Sequence, residues 1–241
     1  MALSDFYPSP AALIESELRV LNYLRNDRFI TERQSQFAQD AGMYYGRYRR
    51  DHSHFEFFSY FDVTGAGSKQ RKRMPDLRLT LAALIEAKKN GSYSNVTYCL
   101  SVCKIRRLVI LRKFHFDVTV TSDAVEHRRQ EHPQCHLQYC GEMIPHMAKM
   151  GCRQKQLEQM HPSLSEPRIF FWPMSLALLI DMALHEFPDR HSANFRSSSE
   201  WRNIVRAQES LVLRPFYEKC VEVIVDRRGN NRTLADEFYV G

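Results

Sequence analysis

The hydrophobic period of this chain changes twice, from near 3.6 residues to 2 and back, and that order constrains the fold more than any other feature. The first segment is helical. Ser9 is placed to cap, Pro10 suits the first helical position, and Leu13, Ile14, Leu18, Leu21 and Leu24 recur at helical spacing, which predicts a helix from about Pro10 to Asn26. A second helix is expected from Thr31, where Thr31 and Gln34 form a capping box, to about Tyr48, with Phe37, Tyr44, Tyr45 and Tyr48 as its aromatic face.

The period then becomes 2. From His54 to Thr64, Phe55, Phe57, Phe61 and Val63 share one face, and His54, Glu56, Phe58, Tyr60 and Asp62 share the other. Asn95 to Lys104, Arg106 to Thr121 and Gln134 to Cys140 also read as strands. Between the first and second of these, Pro75 to about Lys89 is expected to be a helix stopped by Asn90 and Gly91. Beyond the strands, Pro173 to Phe187 is apolar nearly all round, as a central helix ending before Pro188 would be. Ser197 and Glu200 form a capping box for a helix carrying Trp201, Ile204, Val205, Leu211 and Val212, which Pro215 should break or kink. Residues from Glu222 onward fit a helix and a hairpin equally well.

This order predicts a single α+β domain over residues 1–241, with a helical segment at 1–50, a sheet core at 54–140 and a mainly helical segment at 166–241. The sheet is expected to be an antiparallel four-stranded meander with helices packed on one face. With 44% hydrophobic and 26% charged residues, the composition excludes collagen-like and disordered classes. The beginning of the chain has no basic and apolar leader pattern, and the longest apolar stretch, Met174 to Leu184, is interrupted by Ser175 and Asp181, so neither a signal peptide nor a membrane span is expected. Six cysteines in such a chain read as reduced thiols, without a disulfide-linked partner, in the cytoplasm.

The candidate site lies on the polar side of the sheet. Strand alternation puts His115 and Asp117 on one face, about 7 Å apart, and matching apolar sides brings His136 and Gln138 onto that face with Glu56, Tyr60 and Asp62. The expected active site is therefore His115, Asp117 and His136, with Asp62 as a further ligand of a divalent metal that activates water. The competing expectation, given more weight, is an ordinary solvated face of an antiparallel sheet. His132, Cys135, His136 and Cys140 lack the spacing of a structural zinc site, so the thiols are expected to pack as small hydrophobes.

Pro75-Asp76 followed by Glu86-Ala87-Lys88 resembles the signature of the restriction-type nuclease superfamily. The resemblance implies that Asp76 and Glu86 bind magnesium and that Lys88 assists the attacking water. It requires a β-hairpin between Asp76 and Glu86, whereas LRLTLAALIE has no turn residue and many strong helix formers, so a core helix is the preferred reading. No phosphate loop, serine-hydrolase elbow, zinc-protease or dinucleotide motif occurs.

The formal net charge of +6 is the sum of clusters near strand ends. Lys69, Arg71, Lys72 and Arg73, with Arg106 and Arg107, are the candidate nucleic-acid contacts, because bunched cations at one sheet edge track a phosphate backbone. The expected function is a cytoplasmic nucleic-acid-associated protein, in its enzymatic form a metal-dependent phosphodiesterase. The alternative is a non-enzymatic subunit of a larger complex that docks a protein partner through aromatic and arginine-rich loops.

Overall fold

The computed structural model describes residues 6–27, 45–63, 77–104, 109–118, 132–133, 135–139, 153–154, 168–187, 190–225 and 239–240. Helix α1 (Pro10–Asp27) starts as its sequence directs: the Ala12 amide donates to Ser9 Oγ at 3.3 Å and the Leu13 amide to the Ser9 carbonyl at 2.9 Å. Leu13, Ile14, Glu17, Val20, Leu21 and Leu24 form its buried stripe.

The strands are β1 (Tyr45–Tyr48), β2 (His54–Val63), β3 (Leu77–Ala87), β4 (Tyr93–Lys104), β5 (Val109–Val118), β6 (His132–Pro133), β7 (Cys135–Tyr139), β8 (Arg153–Gln154), β9 (Arg168–Phe170) and β10 (Tyr239–Val240). The main sheet has the order β1-β2-β3-β4-β5-β7-β9, every neighbouring pair antiparallel, and β8 joins the start of β5 in parallel. Strands β6 and β10 pair separately. The architecture is thus α+β with a meander, as expected, but the sheet is broader than four strands.

Two elements differ from expectation. The segment read as a helix from Pro75 to Lys89 contains β3, which is paired along its length with β2 on one edge and β4 on the other. Leu77 through Ala83 are buried without interruption, so both faces of this strand are covered and the period-2 signal is lost. What remains visible in the sequence is a run of leucines and alanines, whose helix propensity is overridden by pairing and burial. The expected second helix also ends differently: Tyr45–Tyr48 pair with Phe55–Phe58 as edge strand β1, and residues 31–44 lie outside the described residues.

The β1–β2 and β3–β4 connections share one construction. His52 donates its amide to the Arg49 carbonyl at 3.1 Å, and Gly91 to the Lys88 carbonyl at 2.9 Å. Asp51 Oδ1 accepts from the Ser53 amide (3.1 Å) and hydroxyl (2.6 Å), and Asn90 Oδ1 accepts from the Ser92 amide (3.0 Å) and hydroxyl (2.7 Å). The residue between acceptor and serine is left-handed in both turns, His52 at φ 54° and Gly91 at φ 80°. The Ala87 amide, donating to the Ser53 carbonyl at 2.9 Å, ties the turns side by side.

Helices α2 (Leu176–Glu186), α3 (Arg190–Ser197), α4 (Ser199–Gln208) and α5 (Arg214–Val225) complete the layer, and α1 and α2 lie against β3. Ser175 caps α2, and Ser198, one residue after the expected Ser197, caps α4 by accepting from the Trp201 amide. Asp181 ties α2 to its neighbours by accepting from Arg196 Nε and Nη2, both at 2.9 Å, and from Trp201 Nε1 at 3.0 Å. Between α4 and α5 the chain does not break. Glu209–Leu213 form a π-helical turn, in which the Arg214 amide reaches back to the Glu209 carbonyl, and the helix runs on through Pro215 to Val225.

One carboxyl lies inside the helix–sheet interface. Glu17 is fully buried, and its Oε1 accepts from the Tyr98 hydroxyl at 2.6 Å and from the Leu176 amide at 3.0 Å, where α2 begins. Its Oε2 has no hydrogen-bond partner among the described residues. Burial drives the acid up from 4.5 to about 7, against the opposing pull of these two hydrogen bonds.

Among the described residues no helix is long and apolar enough to cross a membrane, and Cys99, Cys103, Cys135 and Cys220 are free thiols.

Candidate functional site

Cross-strand register sorts the side chains of the sheet into rows. Phe57, Ala83, Tyr98, Phe116 and Leu137 lie opposite one another in sequence across β2, β3, β4, β5 and β7, and belong to the core beneath the helices. One residue along, the rows pass to the other face: Phe58, Ala82, Cys99, His115 and Gln138 form one, and Glu56, Leu84, Thr97, Asp117 and His136 the next. A third contains Tyr60, Thr80, Ser101 and Lys113.

His115, Asp117 and His136 are therefore brought together as the alternation predicts. His136 Nε2 stands 3.8 Å from Asp117 Oδ2 across the β5–β7 pair, and His115 is two residues along the same strand as Asp117. A carboxylate beside an imidazole fixes ring orientation and suits proton exchange near neutral pH. Asp62 does not join them. Its register position is three strand spacings across and six residues along from Asp117, on the order of 25 Å away. Among the described residues, no three His, Cys, Asp or Glu side chains group closely enough to hold a metal ion.

The face is also not the wet one expected. His115 is 9% exposed, His136 6%, Arg78 3% and Lys113 1%, and Tyr60, Thr80, Cys99, Ser101 and Cys103 are buried with them. Asp117 is only partly covered, with 22% of its side chain exposed. The Arg78 guanidinium lies 4.2 Å over the Tyr60 ring, a cation–π contact within one buried layer. Burial pushes the Cys99 thiol up to about 12, partly countered by Ser101 and by the positive charge of Lys113. Buried charge is tolerated only when engaged, and none of Arg78, Lys113, His115, Asp117 and His136 is without a partner.

Arg78 and Thr80 were hidden from the sequence reading because β3 reads as a helix, which removes the alternation that would have put them on this face. Lys113 alternates correctly with His115 and Asp117; a lysine inside a second core layer has no sequence signal that separates it from a lysine in water.

Two motif readings are settled by position. Leu77, which follows Asp76, and Glu86 stand near opposite ends of the continuous strand β3, about 30 Å apart by strand rise, so Asp76, Glu86 and Lys88 cannot converge as a nuclease signature requires. Glu86 instead faces His54, whose Nδ1 is 3.6 Å from Glu86 Oε1. Cys135 and His136 are successive residues of β7 and point to opposite faces, Cys135 into the helix-side core, so they do not ligate one zinc ion. Lys69, Arg71, Lys72, Arg73, Arg106 and Arg107 lie outside the described residues. No protein-family model, curated protein or solved structure matches the chain.

Proposed function

We propose that this chain is a cytoplasmic nucleic-acid-associated protein that tracks a phosphate backbone along one end of its sheet. The strand register supports the reading. Val63, Leu77, Lys104 and Val109 pair in succession, so the β2–β3 and β4–β5 connections leave the same sheet end within about 15 Å of each other. The first connection carries Lys69, Arg71, Lys72 and Arg73, and the second Arg106 and Arg107. The enzymatic form, a phosphodiesterase using His115, Asp117 and His136 with a divalent metal, ranks below plain association because both imidazoles are shut away from a polymeric substrate.

The test is oligonucleotide affinity measured by fluorescence anisotropy across a salt series. If all six cations meet phosphates of a single strand, log K should fall with log salt at a slope near −4, and replacing Lys69, Arg71, Lys72 and Arg73 by glutamine should flatten it by about 3. Undetectable binding, or an affinity indifferent to salt, would remove the proposal.

A second reading, a subunit that docks a protein partner, is favoured by helix α5. Tyr217, Val221, Ile224 and Val225 recur at one-face helical spacing and are 50%, 58%, 51% and 59% exposed. Such a stripe would give a salt-insensitive association through apolar contact.

A further inference from the structure

We propose that the cavity between the β1–β2 and β3–β4 turns binds a phosphate monoester. This site goes beyond the nucleic-acid reading: it lies at the opposite end of β2 and β3 from Val63 and Leu77, where the β2–β3 connection leaves the sheet, about 30 Å away by strand length. The cavity has a volume of about 570 Å³, and Arg49, Lys88 and Lys89 line it with Asp51, His52 and Ser53, the start of α1 closing another side. That volume admits a phosphate together with an attached sugar or base.

The two turns that supply the cations are built to one pattern. Arg49-Arg50-Asp51-His52-Ser53 and Lys88-Lys89-Asn90-Gly91-Ser92 each place two basic residues before an Asx residue, a left-handed residue and a serine. In each, the Asx oxygen is fully used by the serine amide and hydroxyl, which fixes the turn and therefore the backbone from which the cations project. The hydrogen bond from the Ala87 amide to the Ser53 carbonyl then holds one basic turn against the other. Gathering like charges round one concavity is unfavourable in isolation and is relieved by an anion. Arg49, Lys88 and Lys89 outnumber Asp51, the one acid of the lining, so the wall of the cavity is cationic and suits a phosphoryl group. Arg49 and Lys89 are exposed and Lys88 half-buried, so an incoming ligand can reach all three.

Isothermal titration with inorganic phosphate, a nucleoside monophosphate and the parent nucleoside tests the proposal on the intact chain. The monophosphate should bind at least tenfold tighter than the nucleoside, and the Lys88→Gln, Lys89→Gln double variant should lose at least tenfold of that affinity with its thermal midpoint unchanged. A Lys88→Arg, Lys89→Arg variant should retain it. An oligonucleotide with and without a 5′ phosphate identifies the source: tighter binding of the phosphorylated form points to a nucleic-acid end, and equal binding to a free phosphorylated metabolite. Equal affinity for nucleoside and monophosphate, or unchanged affinity in the glutamine variant, overturns the site. Loss of salt-dependent binding on neutralising Lys69–Arg73 leaves this result untouched, so the two proposals fail separately.

Discussion

Both faces of the sheet bury most of their side chains, yet they do so with different chemistry. The helix side is a continuous apolar layer in which Phe57, Ala83, Tyr98 and Phe116 run across four strands, with Glu17 as the buried acid within it. The opposite side holds Arg78, Lys113, His115 and His136 at nearly the same depth. Apolar burial is favourable whatever the exact partner, whereas each buried ionic group must find its own. The first face is therefore expected to supply most of the stability, and the second to favour one alignment of strands β3, β4, β5 and β7 over others.

Single substitutions on the two sides of the sheet separate the two contributions. Phe116→Ala, on the helix side, should cost about 3–5 kcal/mol in urea unfolding, since a buried ring is removed and its cavity closes incompletely. A loss under about 1 kcal/mol would mean that the helix side is not the principal source of stability. Glu17 gives the next effect, and it depends on pH. Its acid is held near 7 in the fold against 4.5 when free, so the fold retains a proton that the unfolded chain releases. That stability is complete below the free value and is lost as pH rises through about 7, on the order of 3 kcal/mol in all. Glu17→Gln should flatten the pH dependence of the unfolding midpoint between about pH 4.5 and pH 7. An unchanged slope in that variant would place the titration elsewhere.

The smallest effect is expected on the polar side. His136→Ala should cost about 1–3 kcal/mol, because a buried polar contact is lost while Asp117 can still reach water. Oligonucleotide affinity should be unaltered. If wild-type protein instead cleaves oligonucleotides with added magnesium or manganese, and His136→Ala abolishes cleavage while staying folded, the polar face is a catalytic site and the contrast drawn between the faces fails.

Much of this division was legible in the residues, and its gaps have physical causes. Alternation in His54–Tyr60 and Phe114–Val118 assigned the faces correctly, but the register shifts beyond Arg112, so Ile110 pairs with Cys103 on the polar side and Leu111 packs on the helix side, the reverse of what strict alternation gives. Ser9 with Pro10 marked the start of α1 for a local reason, since a helix cap involves only neighbouring residues. Strand β3 was illegible because pairing on both edges and burial on both faces leave no period to read. The proximity of His115, Asp117 and His136 followed from register, but their depth did not, as alternation reports which face a residue is on and nothing about what covers that face. The paired basic turns were present in the sequence as a repeated five-residue pattern, visible only once β3 is known to be a strand that brings Lys88 beside Ser53.

The π turn at Glu209–Leu213 has a consequence for how the C-terminal helix tolerates changes of length. It absorbs one residue beyond α-helical pitch, so Trp201, Gln208, Val212 and Phe216 stay on one buried line and the exposed stripe of α5 keeps its direction. It also relaxes the bonding just where Pro215 lacks an amide and would crowd the Leu211 carbonyl. The turn is thus a reserve of slack in an otherwise rigid rod. A one-residue deletion inside 209–213 spends that slack and leaves both faces in phase once Pro215 is replaced by alanine, whereas the same deletion within α4 or α5 rotates everything beyond it by about 100°.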